Sequence, residues 1–278
     1  MGLRINTNVT ALFAHKNLVN TEQNLAKSIE RLSSGYRINH AKDDVAGLAI
    51  ANSFKAQVRA LRVAEQNTSQ AQSLLQVAEG GAMQIQGILE RLSELAASAA
   101  SANTDAAGKT RLDAEATELI NELDRIVNDT KYGDAALIDG SATSMTFQVG
   151  SSNTADDQIA VDLSTVNLTS TTLGVADGDI DLSTAAGAQS AIDSVENAIS
   201  AAGASMGTIG AAMSRLQFAS ANLSTSVQNL AASESTIRDA DMAFEMIEFT
   251  KNQILLQAGT AMLAQANLAP QVVLQLLG

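Results

Sequence analysis

IDSVENAISAAGASMGTIGAAMSRLQFASANLSTSVQNL, residues 192–230, places Ile192, Val195, Ile199, Ala202, Met206, Ile209, Met213, Leu216, Ser220, Leu223, Val227 and Leu230 in steps that alternate strictly between three and four. That is the period of a coiled-coil seam. Gly203, Gly207 and Gly210 lie inside it, where they lower helix propensity but allow close backbone approach. A helix over about residues 188–238 would be roughly 75 Å long at ~1.5 Å per residue. The spacing recurs at Ile85, Ile88, Leu92, Leu95 and Ala99, and again at Leu112, Ala116, Leu119, Leu123 and Ile126. Three long amphipathic helices follow, each needing the others to bury its stripe. A buried Leu or Ile contributes roughly 1.5–3 kcal/mol, which an isolated helix cannot collect.

Composition supports helices packed along their length. Hydrophobic residues make up 46% of the 278, yet aromatics are 3%, Trp is absent, and runs such as LAASAASA (95–102) show that alanine supplies much of the apolar count. The single proline, Pro270, lies near the C-terminus, so almost nothing upstream forbids long helices. The net charge of −13, with no lysine or arginine cluster, argues against nucleic acid as a partner. No apolar run approaches the ~18 residues that span a bilayer, so no membrane partner is expected. The start MGLRINTNVTALFAHK lacks the pattern of a cleaved secretory signal, and Asn6 stands where a myristoylation pattern requires Ser or Thr. Zero cysteines fit a reducing cytosol and equally fit a chain exported without meeting disulfide chemistry.

The two ends repeat the helical theme. Leu18, Leu25, Ile29 and Leu32 share one face near the N-terminus, and Ile247, Ile254, Ala258, Ala261 and Leu268 share one near the C-terminus. Terminal helices with such faces want a partner. The middle changes character: in TSMTFQVGSSNTADDQIAVDLSTVNLTSTTLG (143–174), MTFQV and QIAVDL alternate as strands do, with turn residues between them. One β-hairpin near 144–175 is predicted in an otherwise helical chain.

SSGYRINHAKDD (33–44) holds Ser33, Ser34, His40, Asp43 and Asp44, the residue types of a nucleophilic hydrolase. No G-x-S-x-G elbow accompanies them. SSG reads as a helix stop with Gly35 at a left-handed cap, and Asp43–Asp44 as the capped start of the next helix. His15 and His40 are the only histidines, too few for a zinc site without cysteine. Gly80–Gly81 follows no strand, so it is not a phosphate loop, and AKDDVAG and RDADMA lack the spacing of an EF-hand. Met206, Met213, Met242, Met246 and Met262 sit at helical spacing and are expected to fill the core. No catalytic, metal or cofactor residue is assigned.

RINTNVTALFAHKNL (4–18), LSSGYRINHAKDDVAGLAI (32–50), TFQVG (146–150) followed by TLG (172–174), IRDADMAFEMIEFTKNQILLQAGTAMLAQAN (237–267) and APQVVLQLL (269–277) together resemble bacterial flagellin over both ends and nearly the whole chain. The resemblance implies a mainly α, elongated, coiled-coil-like bundle formed by both chain ends. Residues 1–42 with 239–278 would form an inner filament-core domain of paired terminal helices. Residues 43–238 would form an outer helical domain with the hairpin, and the chain would lack the further outer domains that usually follow the segment TLGV (172–175). The implied function is polymerisation into the flagellar filament, and the alternative is a hook–filament junction protein. It further implies type III export to the cell exterior, a cytoplasmic chaperone on residues 240–278, and contacts with hook-associated and cap proteins. It also implies recognition of the unpolymerised subunit by an innate immune receptor of the Toll-like type. The matching motif residues are Arg91 and Leu95 in LERLSEL and Glu115 in LDAEATEL, with Ser93 where some relatives carry a second basic residue.

Overall fold

The computed structural model describes residues 7–277, and side chains through Leu268. Residues 1–6 and Gly278 therefore lie outside the described residues, as do the side chains of the whole APQVVLQLL ending (269–277), Pro270 included. Among the described residues there are six α-helices: α1 (Val9–Ser34), α2 (Val45–Ala100), α3 (Ala106–Asp129), α4 (Ser170–Leu173), α5 (Ala185–Arg238) and α6 (Met242–Leu277). Two antiparallel hairpins interrupt them: β1 (Lys131–Tyr132) with β2 (Ala135–Ala136), and β3 (Met145–Gln148) with β4 (Gln158–Val161). The mainly α reading and the hairpin of MTFQV with QIAVDL are borne out. The hairpin ends sooner than expected: beyond Val161 the chain turns, and Asn167 meets Asp139 in a single bridge before α4. The β1–β2 hairpin is too short for a period-2 signal and was not anticipated.

The chain divides into two compact units. The first comprises Met1–Ala56 with Asn229–Gly278, and the second Gln57–Gln228.

In the second unit the core runs along α2, α3 and α5 and closes over the hairpins. On α5 the buried residues are Ala188, Ala191, Val195, Ala198, Ala202, Ser205, Ile209, Ala212, Leu216 and Leu223. The alternating three-and-four spacing is as predicted, but the phase differs at every second position. Ile199, Met206 and Met213 are only partly buried, while Ala198, Ser205 and Ala212 sit inside. Small side chains take the centre of the seam, and the bulkier ones cover its flank. On α3 the same shift puts Ile120 and Val127 inside and leaves Leu112, Leu119 and Ile126 half-buried at the edge. On α2, Ile85, Leu92, Leu95 and Ala99 are buried as expected, whereas Ile88 is a flank residue and Leu89 is inside.

Polar side chains set the ends of these elements. Asp105 Oδ1 accepts from Gly108 N at 2.8 Å and starts α3, and Thr184 Oγ1 accepts from Gly187 N at 3.0 Å and starts α5. Carboxylates on α3 anchor the return segment. Asp124 accepts the Ser170 N–H and hydroxyl at 3.0 and 2.7 Å, and Asp113 accepts the Leu182 N–H at 2.9 Å. Gly80 and Gly81 lie in mid-helix on α2.

Candidate assembly surface

In the first unit α1 and α6 pack antiparallel. Asn8 Nδ2, at the start of α1, donates to Ala266 O late in α6 at 2.8 Å. Arg31, in the last turn of α1, meets Glu245, in the first turn of α6, at 3.6 Å. Between them Leu18 lies so close to Gly259 that a Cβ there would stand 2.9 Å from Leu18 Cδ1. On α1 the inward positions are Ala11, Ala14, Leu18, Thr21, Leu25, Ser28 and Leu32, and on α6 they are Glu245, Phe249, Asn252, Leu256, Gly259, Leu263 and Ala266. Both series keep the three-and-four spacing. Ile29 falls off this seam and is exposed, because it follows Ser28 where the seam already has its inward residue.

The pair is thinly buried on its own. Among the described residues the fully buried ones of α1 and α6 are Ser28, Glu245 and Asn252, and none is apolar. The face expected near the C-terminus exists, but it points away from α1. Ile247 and Ile254 are 65% and 60% exposed, and Leu268 stands in the same row. At 100° per residue that row lies directly opposite the seam, so α6 presents two apolar faces. Met242, Met246 and Met262 are likewise exposed. The expectation that they fill the core is overturned: they fall outside the inward series of the α1 seam, and at 100° per residue Met246 and Met262 flank it.

The segment 33–44 and residues 237–240 close the unit. Gly35 is in the left-handed region at φ 75° and its N–H donates to Arg31 O at 2.8 Å, as read from SSG. Arg37 N donates to Arg238 O at 2.7 Å, Ala240 N to Gly35 O at 2.9 Å, and Arg37 Nη2 to Ile237 O at 2.7 Å. The Arg238 guanidinium lies 4.2 Å over the Tyr36 ring, and its buried Nε has no hydrogen-bond partner. The cation thus faces a π-cloud instead of an acceptor. This clamp has no local signature in the sequence, because its two halves lie about 200 residues apart and only the aromatic Tyr36 and basic Arg238 mark its ends.

The hydrolase-like residues serve the same closure. Ser34 Oγ accepts from Tyr36 N at 3.1 Å and from Asn39 Nδ2 at 2.8 Å. His40 Nε2 meets Glu30 Oε1 at 2.7 Å, on the solvent side. Asp43 accepts from His40 N at 3.0 Å, and this backbone hydrogen bond, the largest influence, holds its carboxyl below the ordinary 3.8. Asp44 Oδ1 accepts from Gly47 N at 2.8 Å and opens α2. Serine and histidine are each engaged, with other partners. Among the described residues no group of three or more His, Asp or Glu side chains is placed to hold a metal ion, and no helix is long and apolar enough to cross a membrane.

On the second unit Arg91 and Glu115 come together. Arg91 Nε and Nη2 donate to Glu115 Oε1 at 3.1 and 2.8 Å, and Nη1 donates to Glu94 Oε2 at 2.8 Å. The hydrogen bond to Glu115 first, then that to Glu94, pushes the Arg91 pKa above its ordinary value. Leu95 is 2% exposed and belongs to the core beneath them.

Residues 5–143 match the family model described as the bacterial flagellin N-terminal helical region, and residues 192–277 match the bacterial flagellin C-terminal helical region. The chain is 41% identical over 274 residues to a flagellin of Halalkalibacterium halodurans, covering 98% of this chain and 99% of that one. It is 39% identical over 305 residues to a flagellin of Bacillus subtilis, with 99% and 100% covered. A crystal structure of Bacillus cereus flagellin superposes with a TM-score of 0.50 at 25% identity, covering 61% of this chain and 94% of that one. Paired terminal helices, an α2–α3–α5 core with its hairpin, and matches at both ends over almost the full length establish that the chain belongs to the bacterial flagellin family.

Proposed function

We propose that this chain polymerises into the flagellar filament through its terminal helices. The observation that carries the proposal is the second apolar face of α6, where Ile247, Ile254 and Leu268 stand exposed opposite the α1 seam. An apolar row of this length on a helix that already has one partner calls for another. A second copy supplies it, and repetition of a head-to-tail contact builds an open helical polymer. Residues 1–42 with 239–278 act as the inner assembling part and 43–238 as the outer part. Because α1 and α6 bury no apolar side chain fully among the described residues, they gain most of their helical order when neighbours cover them.

The same reading extends to export in unfolded form by the type III route to the cell exterior. A cytoplasmic chaperone shields 240–278 until then, and hook-associated and cap proteins meet the polymer's ends. A Toll-like receptor would reach Arg91 and Glu115 on the free subunit, with Leu95 shaping that surface from beneath.

Removing residues 1–35 or 245–278 tests the main proposal. Either truncation leaves a folded helical core by circular dichroism but no long filaments by electron microscopy after seeding. Ordinary filaments from either truncated chain would refute it. Short caps in place of long tubes from the intact chain would favour the hook–filament junction alternative.

A further inference from the structure

Hydrophobicity alone cannot decide which face of α6 receives α1. The occupied seam offers three large apolar side chains, Phe249, Leu256 and Leu263, and the open face offers Ile247, Ile254 and Leu268. What sets the occupied seam apart is its other row, in which Glu245, Asn252 and Gly259 follow one another seven residues apart. Glu245 and Asn252 are both 6% exposed, unusual burial for such side chains. Glu245 meets Arg31 at 3.6 Å, and Asn252 lies one heptad further along the same seam. Buried polar groups of this kind seldom add stability, since desolvation offsets what pairing returns, and their best-attested use in helix pairs is to fix partner and register.

We infer that Glu245, Arg31 and Asn252 tell the two faces of α6 apart and reserve one of them for the chain's own α1. The inference rests on the reading that a second copy covers the other face. Arg31 stands in the last turn of α1 and Glu245 in the first turn of α6, so each charge also meets the favourable end of its helix dipole. Docked on the open face instead, α1 would leave Arg31 without its carboxylate, while Glu245 and Asn252 would face a second copy's apolar row. The buried Glu245 would then lose the Arg31 cation and stand desolvated among apolar side chains, with Asn252 one heptad along. Gly259 completes the selection by size, since Leu18 already fills the space a Cβ would need.

The natural chain has no cysteine, so engineered pairs report cleanly. Ala11 lies one heptad before Leu18 and Ala266 one heptad after Gly259, which sets them opposite each other in the seam. Leu268 stands at the same height on the open face. In seeded polymer of Ala11→Cys/Ala266→Cys, oxidation should give intrachain links, and Ala11→Cys/Leu268→Cys should give almost none. Adding Glu245→Leu with Asn252→Leu should raise the 11–268 product at least tenfold and produce interchain ladders, with helical content kept or raised. Where that variant does not fold, Arg31→Glu alone should scramble the links, and Arg31→Glu with Glu245→Arg should restore the 11–266 product. An unchanged 11–266 link in the Leu variant, or no rescue by the charge swap, would overturn the inference. Failure of the parent cysteine chains to polymerise would count against the filament proposal instead, and with it against the choice of face that rests on that reading.

Discussion

Glycines at Gly203, Gly207 and Gly210 on α5 and at Gly81 on α2 should respond oppositely to alanine. A Cβ at any of the three α5 positions meets nothing within 4 Å, so each glycine carries its full entropic penalty with no packing return inside the chain. Gly→Ala at an open helix interior gains roughly 0.5–1 kcal/mol. The triple variant should therefore gain roughly 1.5–3 kcal/mol, or roughly 3–10 °C for a unit of this size. At Gly81 a Cβ would stand 2.6 Å from Thr130 Oγ1, 2.8 Å from Thr130 Cγ2 and 3.1 Å from Ile138 Cδ1. Thr130 cannot step aside cheaply. Its hydroxyl donates to Ile126 O at 2.7 Å and its carbonyl accepts from Leu137 N at 3.2 Å, tying the end of α3 to β2. Overpacking costs about 1–3 kcal/mol, which outweighs the propensity gain and leaves Gly81→Ala destabilised by roughly 0.5–2 kcal/mol. Thermal and urea unfolding of the soluble full-length chain, followed by circular dichroism at 222 nm, compares the variants with the parent. Shifts of the same sign at Gly81 and at the α5 positions would refute the packing argument. Slower seeded growth by the stabilised triple variant would show that the open α5 surface is used by neighbouring copies.

Leu95→Ala should destabilise the chain by about 2–5 kcal/mol because it empties a buried site, whereas Arg91→Ala with Glu115→Ala should leave the melting temperature within error. Reduced receptor binding by the soluble double variant, measured by surface plasmon resonance, would support recognition at that pair, and unchanged binding would end it. Asp162 and Asp181 are held below their ordinary 3.8, first by the hydroxyls of Ser164 and Ser183 and then by the N–H groups of the same serines. Folded values below unfolded ones mean that this stability is present above about pH 4 and is lost as pH falls through the folded values. Asp162→Asn with Asp181→Asn should flatten the acid limb of a stability–pH curve, and an unaltered limb would contradict the assignment. Replacing Ser33, Ser34 and His40 by alanine should change filament shape or growth but no hydrolytic rate. Esterase or peptidase activity lost in that variant would overturn the capping account.

What could be read in the sequence, and what could not, divides at the phase of each helix. Period is a local property: Val195, Ala202, Ile209 and Leu216 recur every seven residues whatever lies nearby, so the α5 seam and the mainly α fold were legible. Capping is local too, which is why Gly35 and Asp44 were read correctly from their neighbours. Phase is not local, because the inward side depends on how closely another helix approaches. Large side chains were favoured in reading the seam, yet Ala198, Ser205 and Ala212 took the centre, and Ile199, Met206 and Met213 moved to the rim. The Tyr36–Arg238 clamp and the burial of Glu245 and Asn252 were hidden for the same reason: each depends on a partner far along the chain.

The C-terminal helix makes the opposite case, and it explains why an apparent misplacement is informative. Ile247, Ile254, Ala258, Ala261 and Leu268 were read as one face from spacing alone, and that face is real. Within one chain it covers nothing, while a seam containing Glu245, Asn252 and Gly259, which no hydrophobic pattern would select, receives α1. A stripe whose period is legible but whose partner is missing from the chain either costs the protein solubility or belongs to a contact between chains. Two rows on one helix, one marked by polar and small residues and one left apolar, favour the second. The marked row limits α1 to a single seat, and the unmarked row can then be met again and again by identical neighbours, which is what an open polymer of a single chain requires.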